Sequence, residues 1–170
     1  MTSVIDSLPP GNEKNELMSR LFQPFAQQLL QIAVQLKDTN EPIFKERDLN
    51  SEKARPVRLL YRSLEKMIII VKYLTPCKNK GAQVTKDEQE HALVLVLREL
   101  WPLIQGLMIK YYNEEGLTEN INKFIKHSMR CLNLLFGPFV EPYFKIIVDN
   151  YQVEPNPNLR KSQSRLTFIQ

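Results

Sequence analysis

Leu100-Trp101-Pro102-Leu103-Ile104-Gln105-Gly106-Leu107-Met108-Ile109-Lys110 is the stretch whose reading decides the fold. Apolar residues recur through it every three or four positions, the spacing that marks one face of a helix. Pro102 stands inside that pattern, where a proline removes one backbone hydrogen bond and crowds the preceding turn, so a bend or break is expected there. Two other stretches share the arrangement. Phe22-Gln23-Pro24-Phe25 leads into Leu29-Leu30, and Val140-Glu141-Pro142-Tyr143 leads into Ile147-Val148. In all three an apolar residue precedes the proline by two, another follows directly, and an apolar pair lies five and six residues beyond. The three prolines stand 78 and 40 residues apart, and the shorter spacing is an ordinary period for stacked helical repeats.

Outward from these anchors the sequence predicts further helices. The first covers Asn12–Lys37, with Leu17, Leu21, Phe25, Leu29, Ile32 and Leu36 as its apolar stripe. A second starts near Ser51 or Pro56 and runs through Val57, Leu60, Leu64, Met67, Val71 and Leu74 until Pro76 ends it. Thr85 and Glu88 have the spacing of a capping box, opening a third helix over Lys86–Tyr112 with Leu93, Leu97, Leu100, Ile104, Leu107 and Tyr111 inward. The fourth, Leu117–Phe136, buries Ile121, Phe124, Ile125, Leu132, Leu135 and Phe136 and stops at Gly137-Pro138; the fifth, Pro138–Tyr151, buries Phe139, Tyr143, Phe144, Ile147 and Tyr151. Leu159–Gln170 carries one more helical pattern. The expected fold is all-α: an α-solenoid of about three HEAT repeats, antiparallel helix pairs whose first helix is proline-kinked. The repeats divide as 12–74, 86–136 and a truncated 137–170, with a loop at 75–85 and residues 1–11 as the tail of a preceding repeat.

Composition agrees. Hydrophobic residues make up 43% and charged residues 25% of the 170 positions, ordinary for a folded globular chain. Five glycines are too few for the tight turns of a many-stranded β protein. The net charge of +4 sets 23 basic against 19 acidic residues, so no basic tract of the nucleic-acid-binding kind dominates. Cys77 and Cys131 lie 54 residues apart without a CxxC or histidine-rich context, which points to a reducing compartment and away from a disulfide framework or zinc site, so both read as buried thiols. Unbroken apolar runs such as Met67–Val71 and Ala92–Leu97 fall far short of the ~20 residues that span a bilayer, and the first residues lack the form of a signal peptide. A soluble chain is expected.

The stretch from Arg98 to Gln170 resembles the importin-13 and transportin-SR group of β-karyopherins. The resemblance rests on Leu100-Trp101-Pro102-Leu103-Ile104, on Ser128-Met129-Arg130-Cys131-Leu132, and on Phe136-Gly137-Pro138-Phe139-Val140-Glu141-Pro142 with Tyr151 downstream. The upstream half fits more loosely, through Pro24 and its flanking stripe. The resemblance implies an internal piece of a nuclear import receptor, a long run of HEAT repeats whose second helices line a concave wall. It implies protein cargo, including basic or phosphorylated Arg-Ser segments, and for the whole receptor Ran-GTP, nucleoporins and shuttling between cytoplasm and nucleus. Ran engages mainly the N-terminal repeats of such receptors, which this chain would not include.

Candidate partner-binding residues are Lys123, Lys126 and Arg130. Their spacings of three and four place them within roughly 60° of helical arc, opposite the apolar stripe, with His127 at its border. In transportin-SR-like receptors an arginine-rich helix at this place binds phosphorylated Arg-Ser segments. Here two of the three matching positions are lysines, and a further basic position is Asn120, which makes recognition less directional because lysine lacks the planar fork of arginine. Trp101, Tyr111 and Tyr112 read as packing residues, and Arg160, Lys161 and Arg165 as solvated charge. There is no GxSxG, Walker loop, GxGxxG or HExxH. His91, with Glu88, Glu90 and Glu99 nearby, reads as ordinary surface. No catalytic, cofactor or metal site is expected. Beside the transport reading stand a HEAT scaffold for an unrelated protein complex and a nucleic-acid-binding helical repeat.

Overall fold

The computed structural model describes residues 12–38, 51–74, 76–77 and 91–153. The Thr85–Glu88 capping box, Arg160, Lys161, Arg165, the tail at 1–11 and the pattern at 159–170 lie outside them. Five α-helices follow in order among the described residues: α1 (Asn12–Asp38), α2 (Arg55–Lys72), α3 (Ala92–Lys110), α4 (Glu115–Leu132) and α5 (Gly137–Val153), with a 3-10 turn at Asn133–Phe136 before the last. Among the described residues there is no strand.

Local chemistry sets the helix starts. Ser51 accepts from the Ala54 amide through both its carbonyl and its hydroxyl oxygen and takes the Arg58 guanidinium on its carbonyl, which organises the turn before α2. Pro56 then occupies the first turn, where its missing N–H costs nothing. The third helix begins later than its sequence pattern suggests. His91 is extended, with φ −56° and ψ 129°, and its Nδ1 accepts from the Leu93 amide, so it caps α3 and is not part of it. Pro24, Pro102 and Pro142 each sit inside the first helix of a pair, and helical structure continues through all three.

The break after α4 also differs from the expected stop at Gly137-Pro138. Asn133 turns the chain with a φ of 51°, a region that asparagine tolerates better than most residues. Gly137 instead lies in helical conformation and starts α5. Pro138, with its φ already set, favours starting a helix over ending one.

A handful of contacts fix how the helices stack. In the first pair Ser63 Oγ, on α2, donates to Gln28 Oε1 on α1 at 2.7 Å. The first helices of successive pairs run side by side in the same direction: the Ala92 amide at the start of α3 meets Asn15 Oδ1 near the start of α1 at 3.3 Å. At the far end, Asn150 Nδ2 on α5 donates to the Met108 carbonyl on α3 at 3.0 Å. The second helices do likewise. Tyr61 on α2 lies against Gly116 at the start of α4, where an added Cβ would meet the tyrosine oxygen at 3.0 Å, and Lys72 at the end of α2 meets Arg130 near the end of α4. Helix pairs stacked in parallel rows, α1–α3–α5 and α2–α4, make an α-solenoid.

One continuous core runs through the stack, from Met18, Phe22 and Leu29 through Leu64 and Met67 to Leu97, Phe124, Phe136 and Tyr143. The predicted stripes of α2 and α4 are buried as expected. On α1 the register is one residue off in its first half: Met18, Phe22 and Ala26 are buried, Leu21 and Phe25 only partly, and Leu17 is 41% exposed. Stripes at three- and four-residue spacing offer two adjacent apolar rows there, and contact with α2 and α3 selects the other row. Phe144, expected inside, is instead exposed with Val140 and Val148 in a row along α5, whose second-helix partner the sequence assigns to 159–170. The Ala92–Lys110 helix is long and apolar enough to cross a membrane, as is the 115–151 stretch. In α3, however, Leu93, Leu97, Leu100 and Ile104 face the shared core, which accounts for its apolarity.

Tyr143 links α5 to α4 by donating its hydroxyl to Asn122 Oδ1 at 2.9 Å, and burial pushes its pKa up to about 12. Because the folded value exceeds the unfolded one, this group's contribution to stability is complete below pH ~10 and is lost as pH rises toward 12. Tyrosinate absorbance should therefore show late ionisation in alkali from Tyr143, alongside the half-buried Tyr61, whose pKa burial and then the Glu114 charge also raise. In Tyr143→Phe the late ionisation should lose the amplitude of one residue, at a cost near 1 kcal/mol from the lost hydrogen bond, read by urea unfolding at neutral pH.

Candidate protein-binding surface

Lys123, Lys126 and Arg130 all lie on α4 with exposed side chains. The structure divides them. Lys123 Nζ pairs with Glu119 Oε1 one turn earlier at 2.9 Å, an exposed pair worth little stability, but one that locally neutralises this lysine. Arg130 Nη2 donates to the Lys72 carbonyl at the end of α2. A carbonyl in a helix's last turn lacks an intrahelical partner, so Arg130 caps the neighbouring helix while tying the second helices of two repeats together. Lys126 remains exposed, and no carboxylate among the described residues pairs with it.

Parallel stacking of α2 and α4 adds a cation that sequence spacing on one helix does not reveal. Lys72, last in α2, stands beside the end of α4, with its Nζ 5.3 Å from the centre of the Tyr73 ring. Burial first, then the nearby charges of Arg130, Lys126 and Lys72, hold the His127 pKa below the usual histidine value. One half-buried imidazole thus senses three cations drawn from two repeats. The site is the Lys72–Lys126–His127–Arg130 cluster, with exposed Ile69 and Tyr73 next to Lys72 as apolar surface.

Nothing in this arrangement points to chemistry. Cations without an adjacent carboxylate attract anions, and a depressed imidazole flanked by them is neutral at pH 7. The other histidine is spent on the α3 cap. Trp101 is buried against Phe139, ring centres 5.1 Å apart, and Tyr111 is partly buried against the core, so neither offers an open face for stacking bases. Glu88 and Glu90 lie outside the described residues.

The class defined by this fold is the helical-repeat solenoid. Residues 91–158 match the family described as the Transportin-3/Importin-13 fourth TPR domain, which makes the chain similar to karyopherin-type helical-repeat proteins. The matched stretch contains α3, α4 and α5, and with them Lys126, His127 and Arg130, but not Lys72; it covers less than half of the chain. The family description speaks of TPR where the internal prolines suggest HEAT, and both terms denote stacked antiparallel helix pairs. No curated protein and no solved structure gives a significant match.

The different positions of the cations have measurable consequences. Arg130→Met should cost about 1 kcal/mol through loss of the charged cap on α2, while Lys126→Met should stay within about 0.5 kcal/mol of the parent. The His127 ring protons should titrate below the range of a free histidine. Because an anion seated on the cluster offsets the three cations, added sulfate should raise that midpoint; an unmoved midpoint would mean that the cluster holds no anion.

Proposed function

We propose that this chain is a cargo-binding segment of a nuclear transport receptor, and that the Lys72–Lys126–His127–Arg130 cluster receives an acidic or phosphorylated stretch of the cargo. The observation that carries the reading is the meeting of cations from two successive repeats at the ends of α2 and α4. Phosphate carries charge on several oxygens and is best met by donors from more than one direction. Two parallel helices supply this where one does not. The family match over 91–158 supports the transport setting.

In this reading Lys72 and Lys126 are the point charges, and Arg130 contributes the outer part of a guanidinium whose other edge is occupied by the α2 carbonyl. Lys123 sits at the border, held by Glu119. Area and charge complementarity along a wall give recognition that tolerates extended, repetitive ligands such as phosphorylated Arg-Ser segments. Ran-GTP and nucleoporins belong to the whole receptor, which would shuttle between cytoplasm and nucleus and release cargo when Ran-GTP binds elsewhere along its repeats.

The combined variant Lys72→Glu/Lys126→Glu should leave helical circular dichroism and Tm nearly unchanged, since both side chains are exposed. It should weaken a phosphoserine–arginine peptide by about tenfold or more, equivalent to about 1.4 kcal/mol, and reduce the salt dependence of binding. Equal affinity in parent and variant would remove the cluster from the reading. For the transport setting, a full-length receptor containing this segment should release cargo from nuclear extract when GTP-loaded Ran is added. Cargo retained with Ran present would favour a static scaffold.

A further inference from the structure

Cys77 and Cys131 are distant in sequence and adjacent in space. The Cys77 amide donates to the Cys131 carbonyl at 2.7 Å, joining the segment just after α2 to the end of α4. A backbone bond of that length holds the two Cα atoms at most about 6.5 Å apart, given standard bond lengths. Disulfides form across Cα separations of about 4.4–6.8 Å. Cys131 is 1% exposed within the core, and Cys77, half-buried, packs against that same core. The two differ in exposure, because Cys77 is partly exposed and Cys131 is buried.

We infer that Cys77 and Cys131 form an oxidisable pair, a thiol–disulfide site for low-molecular-weight disulfides such as oxidised glutathione. The Cys77 thiolate attacks one sulfur of oxidised glutathione, forming a mixed disulfide and releasing one glutathione thiolate. The Cys131 thiolate then attacks the Cys77 sulfur, breaking the mixed disulfide and releasing the second. The two protein thiols lose two protons and two electrons, and oxidised glutathione gains both as two molecules of glutathione. The bridge closes a ring spanning 54 residues of sequence and fastens the end of α2 to the end of α4, next to the Arg130–Lys72 contact. A ring of that size removes much of the freedom of the unfolded chain, so oxidation stabilises the stack. The inference stands whatever the neighbouring cations bind.

The test is exposure of the full chain, under native conditions, to oxidised glutathione, followed by intact mass and peptide mapping without reductant. The expected product is lighter than the reduced chain by two hydrogens, with the Cys77 and Cys131 peptides joined. Its Tm should be several degrees higher, and reductant should reverse both changes. Cys77→Ser should give no bridge and leave Cys131 unmodified until the protein is unfolded. Accumulation of a glutathione adduct on Cys77 with Cys131 still reduced would overturn the inference, as would disulfide-linked dimers. Failure of both thiols to react in the native chain while both react in urea would do the same, and a lowered Tm in the bridged form would show that native geometry does not accommodate the bond.

Discussion

Burial between successive helix pairs is the constraint on which the structure depends. No single pair closes its own core: α1 packs on both α2 and α3, and α2 packs on α4 as well as α1. Leu97 and Phe124 are fully buried in the core that the pairs share. At roughly 25 cal/mol per Å² of apolar surface, these contacts between pairs supply stabilisation of the same kind as those within them. Order therefore propagates along the stack from pair to pair, and the direction of each row is inherited by the next.

This architecture explains why the fold was legible in the sequence. Helices that bury one face against two neighbours need a wide apolar stripe, and Val57, Leu60, Leu64, Met67 and Val71 display one plainly. The proline-centred segments at Pro24, Pro102 and Pro142 mark the first helix of each pair, and the structure keeps all three in one row. What periodicity did not reveal were choices made by tertiary contact or by a single dihedral angle: the row used on α1, the cap at His91, and the turn at Asn133. A side chain that bonds its own nearby backbone leaves no periodic trace.

The surface was half legible for a similar reason. Spacing along α4 identifies Lys123, Lys126 and Arg130 as sharing a face, but spacing within one helix says nothing about what lies across from it. Glu119 holds the first, the α2 carbonyl engages the last, and Lys72 joins from another repeat. Arg130 has two consequences at once. It fastens the second helices together and adds positive charge where they meet, so stacking geometry and surface potential are not independent here.

The shared direction of α2 and α4 has an electrical consequence. Aligned peptide dipoles put partial negative charge at the carboxyl end of each helix and partial positive charge at the amino end. Helices laid side by side with the same sense add these fields along opposite rims of the solenoid. Lys72 and Arg130 occupy the last turns, and Glu115 the first turn of α4, each at the rim whose field suits it. The carboxyl-end margin of this row is thus the one that carries Lys72 and Arg130, so a long anionic ligand laid along it has a preferred side before any individual contact is made.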